Sequence, residues 1–285
     1  MTKLKQAMID AMLLHGFSVR TQESYLSAVS SLASYYNLAP DRLSDQDIQA
    51  YFLYLVKERH YAAASCSLFL NGIHFFYRKV LQRDFKIGIQ IPKKEQRIPE
   101  LLTRKEVAAI LSAAKNPKHN MLLSLCYACG LRVSELMQVA VKDIDGERKL
   151  LHVHQGKGAK DRQVIISDTL LMQLREYWQS QHPGIFLFPG RTAGKPLSVS
   201  TADKCFHAAK ESAQIQREGG MHSLRHAYAT HQLAAGLPIN ELKQQMGHNS
   251  IHTTLRYIHW IPNYQQKSYR PDLLALLAAQ DEATD

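Results

Sequence analysis

Six polar residues recur along this chain in an order suited to attack on a phosphodiester. Arg132 lies in GLRVSEL, Lys157 in QGKGAKDR, His222 and Arg225 in MHSLRHAYATH, His248 in MGHNS and Tyr257 in TTLRYIHW. A tyrosine hydroxyl ionises only near pH 10, so it needs cationic neighbours or a base to serve as a nucleophile. Guanidinium groups grip two phosphate oxygens at once, an ammonium can protonate a leaving oxygen, and an imidazole can accept or share a proton. Together these groups could break a phosphorus–oxygen bond with no metal ion. Tyrosine alone says little, because the chain has 13 of them; it is the place in the series that singles out Tyr257.

Spacing sharpens the reading. His222 and Arg225 are three residues apart on a predicted helix, so both project from one face near its N-terminal end, where an anion is favoured. His222 and His226 have the spacing of a zinc-binding helix, but Ser223 stands where such a helix carries glutamate, which argues against a zinc hydrolase. Lys157 sits between Gly156 and Gly158 at the tip of a predicted hairpin, and Lys160 is near enough to take the same role. Arg132 opens a short helix in which Glu135, three residues on, either orients it or caps the helix. Cys126 and Cys129 lie inside the apolar run MLLSLCYACGL with no second ligand pair. With Cys66 and Cys205 they read as buried thiols rather than as a metal site or a disulfide framework.

The elements that must hold these residues follow from apolar periodicity. Residues 1–90 predict four helices: LKQAMIDAMLL, ESYLSAVSSLASYY, a helix through IQAYFLYLVKE capped by Ser44 with Asp47, and AASCSLFLNGIHFFYRKVL. Four short helices make a small bundle. Residues 91–100, within IGIQIPKKEQRIPELL, contain two prolines and no helical period, and read as an extended linker with a basic middle, Lys93, Lys94 and Arg97, suited to a polyanion. Thr103 and Glu106 form a capping box at the start of a second domain over 101–285. That domain is mainly helical, with a hairpin of LLHVHQ and RQVIIS around GKGAKD that predicts a small antiparallel sheet.

Charge agrees with a polyanionic partner. Lys and Arg total 35 against 25 Asp and Glu, a formal net charge of +10, and neutralised phosphates release condensed counterions. A hydrophobic content of 45% argues against bulk disorder. No stretch approaches the roughly 20 apolar residues of a membrane span and the N-terminus lacks a signal-peptide core, so the expectation is a cytoplasmic protein with no membrane partner.

In this order, GLRVSEL, GKGAKDR, HSLRHAYATHQL and MGHNSIHTTLRY resemble the tyrosine recombinase (phage integrase) family, especially Xer-like and simple transposon- or phage-type integrases. The opening SVRTQESYLSAVSSL is similar to the family's SAM-like core-binding bundle. The resemblance implies a mainly α protein: a SAM-like four-helix core-binding domain followed by a mainly helical catalytic domain with a small antiparallel sheet. It implies a site-specific recombinase that cuts and rejoins DNA through a 3′-phosphotyrosyl intermediate on Tyr257, with no cofactor, metal or ATP. Arg132 and Arg225 would steady the transition-state charge, Lys157 would protonate the leaving 5′-oxygen, His222 would serve as base or relay for Tyr257, and His248 would bond a non-bridging oxygen. It further implies double-stranded recombination sites as partners, a protein monomeric when free, and a homotetramer in the synaptic complex linked by the apolar stretch RPDLLALLAAQ. The short interval from Arg132 to His222 disfavours an integron integrase. The competing reading is a DNA-binding regulator or architectural protein of the same fold without strand exchange.

Overall fold

The computed structural model describes residues 3–84, 88, 100–154 and 161–260. Lys93, Lys94, Arg97, Lys157, Lys160 and the stretch RPDLLALLAAQ lie outside them. Packing divides the chain into two compact units, Met1–Arg97 and Ile98–Asp285.

The first unit is the four-helix bundle expected from periodicity. It comprises α1 (Lys3–Leu14), α2 (Val19–Tyr36), α3 (Asp45–Lys57) and α4 (Ala63–Phe75), the last continued by a π-helical turn over Phe76–Val80. Ser18 caps α2 and Ser44 caps α3, the latter with Asp47 in a reciprocal capping box. Each satisfies backbone donors that a helix start leaves unpaired. Met8, Met12, Leu32, Ile48, Phe52 and Ile73 fill the centre. Arg83 donates to the Leu43 carbonyl at 2.7 Å and pairs with Asp45, fastening the chain after α4 to the start of α3.

The second unit begins with α5 (Arg104–Ala113), opened by the Thr103–Glu106 capping box. Then come α6 (Pro117–Cys129) and α7 (Val133–Gln138). Three strands follow, β1 (Ile144–Asp145), β2 (Leu150–Val153) and β3 (Arg162–Ile165), in one antiparallel sheet ordered β1-β2-β3. The hairpin of β2 and β3 was expected. The two residues of β1, paired as Ile144 with Leu151 and Asp145 with Leu150, are too few to show a period. Five helices complete the unit: α8 (Asp168–Gln181), α9 (Val199–Ser212), α10 (His222–Ala234), α11 (Ile239–Met246) and α12 (Ile251–Ile258).

The main core of this unit surrounds α6, which buries residues around most of its circumference, and takes in Leu151, Val153 and Val164 from the inner face of the sheet. Cys126 and Cys129 are part of it, unpaired, and burial pushes both thiols up to about 12. A smaller cluster of Tyr228, Leu233, Leu242, Met246 and Tyr257 holds α10, α11 and α12 to one another. Among the described residues no helix is long and apolar enough to cross a membrane.

Candidate active site

Two left-handed turns bring the distant motifs together. Gly130 ends α6 with φ +57° and Gly247 ends α11 with φ +61°, a conformation that costs a residue with a β-carbon about 1–2 kcal/mol. The Gly130 turn and the Gly247 turn aim the Gly130 and Met246 carbonyls at one point, and the Gly247 carbonyl at Arg132 beside it. Arg225, in the first turn of α10, is drawn into that point. It donates to the Gly130 carbonyl at 2.6 Å, to the Met246 carbonyl at 2.7 Å and to His248 Nε2 at 3.0 Å. Its side chain is 1% exposed. Burial draws the guanidinium down to about 10, which leaves it charged at neutral pH.

The Gly130 turn yields a direct prediction. A β-carbon there would meet the Tyr228 ring at 2.2 Å. Gly130→Ala should therefore add the backbone cost to an overlap worth about 1–3 kcal/mol, and should displace the carbonyl that Arg225 uses. A loss of about 2–5 kcal/mol in urea unfolding is expected; a change below about 0.5 kcal/mol would mean that the turn is not tight.

Arg132 caps α7 and is half-buried. It donates to Glu135 Oε1 at 2.6 Å and to the Gly247 carbonyl at 3.0 Å. Glu135 is the only carboxylate in direct contact with the guanidiniums here among the described residues. It accepts both arms of Arg162, at 2.9 and 2.8 Å, and the Arg132 backbone N–H at 2.9 Å. Its second oxygen lies 3.8 Å from Arg225. Burial alone would raise Glu135, but the bonds from Arg162 and Arg132 outweigh it and hold the acid near 2. Three guanidiniums thus face one carboxylate.

His248 is neutral, and the geometry fixes its tautomer. Its Nε2 faces a guanidinium donor and must accept, so Nδ1 carries the proton and donates to Thr254 Oγ1 at 2.9 Å. Burial first, then Arg225 and Arg132, lowers this imidazole to about 3. Tyr257, on α12, stacks on the His248 ring with 6.2 Å between centroids and 6° between planes. It is 4% exposed, and burial raises its phenol above 10 against the opposing pull of Arg225 and Arg132. The nucleophile candidate therefore holds its proton at rest.

Arg132, His222, Arg225, His248 and Tyr257 all border one cavity of about 430 Å³. A second hollow of about 380 Å³, lined by Leu171, Leu174 and Trp178, is mainly apolar and contains none of them. His222 stands at the mouth, partly open to solvent, where crowding by protein atoms and then Arg225 and Arg132 lower its basicity. The ring that reaches the Tyr257 hydroxyl is instead His226, whose Nδ1 lies 3.1 Å away. Periodicity offered His226 only as half of a zinc spacing. Arg162 was inside the GKGAKDR motif, yet nothing in that motif foretold a fork reaching α7 and, through Nε, the Gln245 carbonyl at 2.8 Å. The roots of the β2–β3 hairpin are tied by His154, which bonds Asp161 at 3.2 Å and the buried Asp143 at 3.1 Å. These two carboxylates, Asp161 first, raise its basicity.

The sequence profile of the phage integrase family matches residues 100–263, and that of the phage integrase N-terminal SAM-like domain matches residues 4–87. The chain belongs to the phage integrase family, the tyrosine recombinases. It is 38% identical over 265 residues to the integrase/recombinase y4qK of Sinorhizobium fredii, covering 92% of this chain and 86% of that protein. To the tyrosine recombinase XerA of Pyrococcus horikoshii it is 31% identical over 209 residues, 72% of this chain and 73% of that protein. In fold it is similar to a lambda integrase tetramer bound to a Holliday junction, with a TM-score of 0.71 at 18% identity over 94% of this chain and 80% of that one. The chain is thus a site-specific DNA recombinase of the tyrosine type, and the reading as a non-recombining regulator is not favoured.

Proposed function

We propose that Tyr257 attacks a scissile phosphate and joins to its 3′ side, freeing a 5′-hydroxyl, and that a second 5′-hydroxyl then reverses the step to exchange strands. The observation that carries this reading is a buried tyrosine hydroxyl bordering the same cavity as Arg132, Arg225, His222 and His248. As the tyrosine oxygen bonds phosphorus, Arg132 and Arg225 face the non-bridging oxygens, where charge grows most in the transition state. His222 serves as base or relay for the proton that Tyr257 gives up as its oxygen bonds phosphorus. His248 bonds a non-bridging oxygen after Arg225 turns from its Nε2 to the substrate. Lys157, or Lys160 beside it, protonates the leaving oxygen. Exchange of one phosphodiester for another conserves the bond, so no external energy source is required. Lys93, Lys94 and Arg97 contribute phosphate contacts between the core-binding domain (1–90) and the catalytic domain (101–285). The working unit is a homotetramer on paired double-stranded sites, monomeric before it meets DNA, and it acts in the cytoplasm.

The test is a nicked duplex that traps the covalent step because its short 5′ fragment diffuses away. The DNA should carry candidate inverted repeats around a short spacer, taken from the sequence flanking the gene. Wild-type protein should form an adduct resistant to denaturant, and Tyr257→Phe should form none. An adduct from Tyr257→Phe equal to wild type would assign another nucleophile. Adduct formation without strand-transfer products would indicate nicking and religation rather than recombination.

A further inference from the structure

The immediate partner of the Tyr257 hydroxyl is not His222. His226 lies one helical turn further along α10, and its Nδ1 is 3.1 Å from the phenolic oxygen. No bond from His222 to Tyr257 occurs among the described residues; His222 instead sets its ring against His226, edge to face, with centroids 4.6 Å apart. Trp260 also packs on the pair, its ring edge-on to both His226 at 5.6 Å and Tyr257 at 5.1 Å. His226 packs against both rings, and among the described residues its Nδ1 has one polar partner, the hydroxyl.

The direction of the bond follows from the state of each group. Tyr257 keeps its proton, as burial requires. Burial, then His222 and Arg225, hold His226 down to about 4, so at neutral pH the ring is uncharged and Nδ1 can carry a lone pair. Tyr257 then donates and Nδ1 accepts, which turns the phenolic oxygen's remaining lone pairs toward the rest of the cavity. Without that acceptor the C–O–H torsion is free, and the buried hydroxyl would have to find another partner.

We propose that His226 aims the nucleophile: by accepting the Tyr257 O–H it holds the phenolic oxygen with its lone pairs toward the scissile phosphate. This leaves His222, at the mouth, available to the DNA. The inference rests on Tyr257 being the nucleophile, so the test must separate the two ideas. In the amide of asparagine, Oδ1 can occupy the place of the imidazole Nδ1, so His226→Asn retains an acceptor. His226→Phe retains the ring volume and none of the polarity.

Single-turnover cleavage of the nicked duplex at saturating protein should fall about 100-fold in His226→Phe, the size of effect a misaimed nucleophile produces. The dissociation constant for DNA should stay within about twofold, because the residue contributes to orientation rather than to shared ground-state binding. His226→Asn should recover at least about tenfold of the loss. A residue that merely packs would show the reverse order, with Phe above Asn. Equal activity of His226→Phe and wild type overturns the proposal, as does an asparagine variant no better than phenylalanine, which would assign proton uptake rather than aim to the ring. If wild type itself forms no adduct, the nucleophile reading fails and takes this one with it.

Discussion

Replacing Glu135 by glutamine should cost about 3–5 kcal/mol of folding free energy, the usual result of removing one partner from a buried ion pair. The side chain keeps its shape, but Arg132, Arg162 and Arg225 then surround a neutral amide whose N–H₂ faces their donors. Urea unfolding at pH 7 would measure the loss; a variant as stable as wild type would show that Glu135 does not neutralise the cluster. The same group predicts an acid limb. Glu135 is held near 2 in the folded chain against an ordinary value of 4.5, so its contribution is complete above about pH 4.5. It fades as the pH falls toward 2, amounting to about 3 kcal/mol in all. The glutamine variant should lack that part of the acid dependence.

Arg225→Lys should lower single-turnover cleavage about 10²–10³-fold, the range for loss of one preorganised donor at a developing oxyanion. Lysine keeps the charge, yet an ammonium on a flexible stem cannot present a planar fork to the Gly130 and Met246 carbonyls while reaching the cavity. DNA affinity should change little, because most phosphate contacts lie elsewhere along the duplex. A variant that cleaves at the wild-type rate would reduce Arg225 to a structural prop.

The fold and the site differ in how much of each was legible in sequence. Helical periodicity and the Ser44–Asp47 and Thr103–Glu106 capping boxes located the helices, because those signals are local. The hairpin arms alternated clearly enough to predict a hairpin, while the pairing of Leu151 with Val164 on its buried face came from the structure. The ordered motifs named Arg132, His222, Arg225, His248 and Tyr257, all of which border one cavity. Pairing across long separations was not legible. Arg162 and Glu135 are 27 residues apart, and Tyr257 and His226 are 31 apart. Nothing in a helical spacing distinguishes which of two histidines four residues apart will meet a tyrosine on another helix. The tautomer of His248 likewise depends on Arg225 and Thr254 meeting its two nitrogens, which only packing decides.

The imbalance of three guanidiniums over one carboxylate has a consequence for timing along the reaction. A phosphodiester carries one negative charge before attack, and the phosphotyrosyl diester carries one after it. Only the five-coordinate species between them approaches two. A surplus of two positive charges in the Arg132, Arg162, Arg225 and Glu135 cluster, two of whose arginines border the cavity, therefore matches neither stable end of the step. It matches the fleeting middle, where differential stabilisation lowers a barrier. Because the two ends are equally charged, the same surplus favours cutting and rejoining alike. Electrostatics of this kind sets how fast strands exchange and leaves the direction of exchange to the DNA.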